Sequence, residues 1–363
     1  MGKPLPAFAG GGFGSMKIDC HVHVVGNGTG GTGCWYRPRG FTRLGAPFLL
    51  RTVGLPATAL TGDLDRLYVE QILRFVRKSS LDAAVILAQD EPYRDDGTKI
   101  ADVGSFHVPN EFVLRLAREH REFLPAISIH PARCDALVEL ERGLAGGAVM
   151  LKCLPNCQNI DWNNPRYTRF LERMAESGLI LLAHTGSEHT LPVLAPRLAD
   201  PRVLTRALEI GVTCIAAHCG TGTMLLDRDY FDVFVEMTRR FPRLYGDNSS
   251  LAGPTFRLRP AALRRMLSAE LVGRIVHGSD VPVPVSGVLA WAFGLMKWRD
   301  WRSIAQITNP IERDAQLKRA LGFPAETFTR LAELLRKRPR TEVTDVPISR
   351  KRNLALGCGG HYI

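Results

Sequence analysis

The stretch Ile18-Asp19-Cys20-His21-Val22-His23 is a short apolar strand pattern that carries an acid and two histidines. Side chains on a strand alternate between faces, so His21 and His23 point to the same side. Two imidazoles at that spacing form either a compact clamp for a divalent metal or two solvent-side residues of an edge strand. The rest of the chain decides between them. Seven further apolar, β-rich runs recur: Ala83–Ala88, Leu124–Ile129, Ala148–Cys153, Leu179–Ala183, Val212–Ala217, Arg243–Gly246 and Arg274–Val276. Amphipathic stretches separate them. Leu64, Tyr68, Ile72 and Val76 fall four apart behind Asp63, which is placed to cap the helix they imply. Phe112, Val113, Leu116 and Ala117 form a second such face. Strands alternating with helices predict βαβ units and a parallel sheet, whose doubly buried strands read as continuous apolar runs. Eight such units predict an α/β fold, a (β/α)8 TIM barrel, with extra C-terminal helices near residues 310–320 and 325–337.

Length and composition agree with this architecture. The chain has 363 residues, 45% hydrophobic and 23% charged, which excludes wholesale disorder. No apolar run reaches the roughly 18 residues of a membrane helix, so no membrane partner is expected. Residues 1–15 read as a flexible Gly- and Pro-rich leader without a signal-peptide core, residues 16–338 as the barrel domain, and residues 339–363 as a basic, extended tail. The segment from Arg336 to Arg352 supplies +5 of the formal charge of +11, so the bulk is only mildly basic. That tail reads as a solvated end, and a nucleic-acid partner is not expected. Eight dispersed cysteines are too sparse for a disulfide scaffold and predict reduced thiols in a cytoplasmic protein. Cys153 and Cys157 lack the second dyad that a zinc ribbon needs. Gly28-Thr-Gly30-Gly-Thr-Gly33 spells a dinucleotide fingerprint, but no helix pattern comes after it; it reads as a mobile flap in a long first loop.

Polar residues end several of the apolar runs. Lys152 closes the fourth, His184 the fifth and His218 the sixth, and Asp280 comes after the eighth in His277-Gly-Ser-Asp280. In a barrel these positions face the mouth where barrel enzymes build their sites. Three positions off Asp280, His277 falls on the opposite face and reads as structural.

These residues resemble the amidohydrolase superfamily of metal-dependent hydrolases, and most closely its amidohydrolase 2 branch of compact barrels without a flanking β-sandwich. The resemblance runs from about Met16 to Leu335 and implies that His21, His23, His184, His218 and Asp280 are its metal-ligand and acid–base positions. It further implies a hydrolase cleaving an amide, lactone or other ester bond of a small molecule, with one or two Zn²⁺ (or Mn²⁺) ions. Such an ion lowers the pKa of a bound water to about 7, and Asp280 serves as general base and acid. In the two-metal subtype a lysine at the place of Lys152 is carboxylated by CO₂ and bridges the metals. His218 is then a ligand, and otherwise the acid–base group. The alternative reaction is that of a single-metal decarboxylase or hydratase, similar to aminocarboxymuconate-semialdehyde decarboxylase, with His218 as acid–base. Arg37, Tyr93, His130, Asn156 and Asn248 are candidate substrate-binding residues at loop positions around the mouth. Relatives are often dimers, which leaves a homodimer open.

Overall fold

The structure is a computed structural model and describes residues 15–38, 41–255 and 257–339. Nearly all of the expected leader and tail, and Cys358, lie outside the described residues. Eight parallel strands form one sheet in chain order: β1 (Ile18–His23), β2 (Ala83–Leu87), β3 (Phe123–Ile127), β4 (Met150–Cys153), β5 (Ile180–His184), β6 (Cys214–Ala217), β7 (Leu244–Asp247) and β8 (Ile275–Val276). The sheet curls round until β1 meets the end of β8, where Cys20 N donates to His277 O at 2.9 Å and Asp280 N to His21 O at 2.8 Å. This is the expected (β/α)8 barrel.

Strand alternation explains both the core and the site. Ile18, Val85, Ala126, Met150, Leu182, Ile215 and Val276 fill the interior, and Leu331, Ala332 and Leu335 of the helix Ala325–Arg336 pack against them. Fully burying each such aliphatic group contributes about 1.5–3 kcal/mol. The alternate strand residues face the surrounding helices, as Ile86, Leu151 and Leu181 do. Two positions beyond interior-facing Met150, Leu182 and Tyr245 stand Lys152, His184 and Asp247. The same alternation that packs the barrel therefore aims these groups at its mouth.

Three local expectations change. Asp63 makes no side-chain cap on the helix Leu64–Arg77 and pairs instead with Arg66 at 2.6 Å. The neighbouring acid, Asp65, reaches back to Asn27 N at 2.6 Å, Gly28 N at 3.2 Å and the Thr32 hydroxyl at 2.5 Å. It thereby anchors the glycine loop, which was expected to hang as a flap, to the first helical turn. The long first connection also carries the helix Phe41–Thr52, and Trp35–Tyr36 pair with Phe106–His107 as a small antiparallel ribbon. Beyond β8 the helices Pro310–Ala320 and Ala325–Arg336 lie where expected, and two short ones, Val288–Ala292 and Trp298–Ala305, precede them. Among the described residues no helix is long and apolar enough to cross a membrane.

Asn309 supplies the cap that Asp63 does not. Its Oδ1 accepts from Ile311 N and Glu312 N, and its Nδ2 donates to Phe75 O at 2.8 Å, tying the late helix to the first barrel helix. Asn309→Ala is expected to cost about 1–2 kcal/mol of unfolding free energy, measured by chemical denaturation.

Candidate metal centre

His21 stands at the centre of the cluster. Its Nδ1 lies 2.8 Å from Asp247 Oδ2. Burial opposes charge on Asp247, but His21 and His218 overcome this and hold its carboxyl far below the usual range. An ionised Asp247 can only accept, so Nδ1 carries the proton and Nε2 presents a bare lone pair. That Nε2 lies 3.2 Å from His23 Nε2 and 3.2 Å from Asp280 Oδ1, and Lys152 Nζ donates to it at 3.0 Å. Asp280 Oδ1 is also 3.2 Å from His23 Nε2. Burial would raise the Asp280 pKa, but His21, His23 and His218 hold it well below the ordinary value. Its second oxygen accepts from the Ser250 hydroxyl at 2.5 Å.

Asp247 organises His218 as well. Asp247 Oδ1 accepts from His218 N at 2.8 Å, from Ser249 N at 3.1 Å and from the Ser249 hydroxyl. With its proton committed to Asp247, the Ser249 oxygen accepts from His218 Nδ1 at 2.8 Å. The second imidazole thus also turns an unprotonated Nε2 to the site. His184 lies beside it, with ring centroids 4.9 Å apart, and its buried Nε2 has no hydrogen-bond partner among the described residues. The nearest carboxylate, Glu188 Oε2, is 3.8 Å away. Burial pushes His184 down to about 4 and His218 and His21 below their ordinary value, so all three stay neutral near pH 7. Burial likewise lowers the Lys152 pKa.

The donor set fits a divalent cation. His21 Nε2 and Asp280 Oδ1 are both acceptors held at close range, and His184 Nε2 is buried without a hydrogen-bond partner among the described residues. A divalent cation among these atoms would satisfy the acceptors and the unpartnered nitrogen together. Neutral imidazoles and a carboxylate match the preference of Zn²⁺ and Mn²⁺. Among the described residues, ligand atoms of His21, His218 and Asp280 lie within 4.8 Å of one another. Backbone strain concentrates here too: His218 and Asp280 occupy the left-handed region at φ 60° and 68°. Non-glycine residues persist there when the surroundings over-determine them, as at functional sites.

The family model described as amidohydrolase matches residues 18–319. The chain belongs to the amidohydrolase family. No curated protein matches. Among solved structures, an uncharacterised TIM-barrel protein from Bordetella bronchiseptica is similar at 16% identity and a TM-score of 0.51, over 83% of this chain and 99% of that one. An enzyme designated IDCase from Metarhizium anisopliae is similar at 11% identity and a TM-score of 0.43, over 88% of this chain and 98% of its own. At 16% identity the first of these shows the barrel fold alone. Membership suggests an enzyme for small molecules, and the His/His/Asp cluster is compatible with the metal such families use.

The remaining candidates are not drawn into the cluster by any hydrogen bond given by the described residues. Arg37 is 64% exposed, 4.0 Å from Asp102 and stacked over Trp35. Both ring nitrogens of His130 are taken by backbone, Nε2 by Gln158 O at 3.0 Å and Nδ1 by Ala132 N at 3.1 Å. Tyr93 packs on that ring with centroids 5.2 Å apart. Asn248 Oδ1 accepts from Gly278 N at 3.2 Å and holds the β8 exit. Asn156 is buried with Oδ1 unpartnered, and its backbone carbonyl accepts from Leu194 N and Ala195 N. His277 faces away as expected and stacks on Phe328 at 4.5 Å. Sequence reasoning missed Asp247, Ser249, Ser250, Glu188 and Arg257. Asp247 carried a legible signal: it ends an apolar run, as Lys152 and His184 do.

Because Asp247 sets the tautomer of two imidazoles, Asp247→Asn is expected to weaken Zn²⁺ affinity about 10–100-fold, measured by competition with a chromogenic chelator.

Proposed function

We propose that this amidohydrolase is a metal-dependent hydrolase that cleaves an amide, lactone or other ester bond of a small molecule. The observation that carries the reading is the convergence of His21 Nε2, His23 Nε2 and Asp280 Oδ1 to 3.2 Å of one another at the mouth of the barrel. His21, His23, His184, His218 and Asp280 would hold the ion, Zn²⁺ by donor chemistry, with Lys152 bridging a pair of ions after carboxylation by CO₂. A free ammonium 3.0 Å from His21 Nε2 repels a cation, whereas a carbamate there offers it anionic oxygen. The amine's lowered pKa favours the neutral form that reacts with CO₂. When bound, such an ion supplies Lewis acidity and acidifies water.

The chain's own residues do the rest. Asp280 accepts the proton of the attacking water at Oδ1 and passes it to the leaving group, while Ser250 fixes the carboxylate through Oδ2. Asp247 keeps His21, directly, and His218, through the Ser249 hydroxyl, in the tautomer that leaves Nε2 unprotonated. The seven free cysteines among the described residues support a cytoplasmic setting as part of the same proposal.

The test is turnover of a panel of lactones, aryl esters and N-acyl compounds by Zn²⁺-reconstituted protein. Hydrolysis that is lost on chelation and restored by Zn²⁺ is expected. Carbon dioxide release from aromatic or enol carboxylic acids without any hydrolysis would replace this reading with the single-metal decarboxylase, with His218 as acid–base.

A further inference from the structure

A buried cation stands beside this cluster without a carboxylate at ion-pair distance among the described residues. Arg257 lies on the loop beyond β7 and is 5% exposed. Its partners among the described residues are neutral. Nη1 donates to Thr221 O at 2.6 Å and reaches the Thr221 hydroxyl at 3.5 Å, and Nη2 donates to Ser187 O at 2.9 Å. Those contacts place it at the mouth. Ser187 lies three residues after His184. Thr221 lies three after His218 and bonds back to His218 O through its hydroxyl at 2.8 Å and its N–H at 3.0 Å. The guanidinium therefore clasps the two loops that present the β5 and β6 imidazoles. After burial, it is the largest charge lowering the His218 pKa, and it lowers that of His184 as well.

The carboxylates that favour its charge, Asp280 first and then Glu188, Asp247 and Asp227, make no ion pair with it. Glu188 uses Oε1 to accept from Thr190 and from Leu191 N at 3.1 Å, and its Oε2 faces His184 at 3.8 Å. Lys318, a buried cation against the exit of β8, shows the contrasting arrangement: it is paired with Asp314. Burying a guanidinium whose direct contacts are all neutral costs more than neutral carbonyls return. A guanidinium has five N–H donors in a fork that matches a carboxylate, and three contacts do not use them all.

We propose that Arg257 binds a carboxylate on the substrate, so that the enzyme acts on a bond near an anionic end of a small molecule. This rests on the hydrolase reading above. An incoming carboxylate would supply a direct ion-pair partner and align the neighbouring carbonyl with the metal-ligand cluster, while a neutral analogue would leave the fork with neutral contacts alone.

Two hydroxamic acids separate this from a purely structural strut. Acetohydroxamic acid reports metal binding alone, and N-hydroxysuccinamic acid adds a carboxylate on a short arm. Calorimetry on Zn²⁺-loaded protein is expected to show the carboxylate-bearing ligand binding at least about tenfold tighter, with that ratio falling near one in Arg257→Gln. Arg257→Lys, which keeps the charge and loses the fork, is expected to fold and to lower the ratio about threefold or more. A ratio near one in the wild type, or one unchanged in both variants, would overturn the assignment. If neither ligand bound the Zn²⁺-loaded wild type, the metal-centre reading would fall, and this inference with it.

Discussion

Asp280→Asn is expected to lower turnover of whichever ester, lactone or amide the wild type hydrolyses by about 10²–10⁴-fold, the range for removing a positioned general base. The substitution is nearly isosteric. It keeps an oxygen that can face His21 and His23, and it removes the ability to take a proton. Metal content of the same preparation is expected to stay close to that of the wild type, because three or more imidazoles remain. Measuring kcat and bound metal side by side distinguishes the two roles of this carboxylate. Turnover and metal lost together would make Asp280 a ligand first. Turnover within a few-fold of wild type would remove it from the chemistry.

Acid is expected to destabilise the metal-free protein steeply. Burial holds His130 and His184 at about 4 and His218 and His277 well below the ordinary value. In the unfolded chain all four titrate near 6.5. Below that pH the unfolded state takes up protons that the folded state refuses, and each such proton removes about 1.4 kcal/mol of stability per pH unit. Asp19, raised by burial to about 6, and Asp314, raised by burial to about 7, act the other way, because they bind protons in the folded state first. Four imidazoles outweigh two carboxyls. The unfolding free energy should therefore fall by roughly 2–3 kcal/mol per pH unit between about pH 6 and 4.5. Chemical denaturation of chelator-stripped protein at several pH values measures this slope. A flat or rising profile would mean that these imidazoles are not held neutral.

The barrel was legible because its eight strands are apolar on both faces. Runs such as Leu179–Ala183 survive in the structure with their ends shifted by one residue, as Ile180–His184. The strand-end residues were legible for the same reason: His184 and Lys152 are conspicuous after a run of aliphatics. Asp247 escaped because the seventh run was closed at Gly246, one position early, yet it orients both His21 and His218. Arg257 and Glu188 lie in irregular loops, where no periodicity says which side chain turns inward. At the start of the helix Leu64–Arg77, sequence preference chose Asp63 as the cap. In the structure Asp63 pairs with Arg66, and Asp65 gathers the backbone amides of the glycine loop. Such a tertiary demand leaves no trace in local spacing.

The most direct measurement is metal content per chain after reconstitution with Zn²⁺ and bicarbonate, made on the wild type and on Lys152→Ala together. Close to two ions in the wild type and one in the variant are predicted for imidazoles and Asp280 bridged through a carboxylated Lys152. One ion in both would remove the bridge and shift the weight to single-metal chemistry. A wild type that retains no tightly bound metal would contradict the account at its centre.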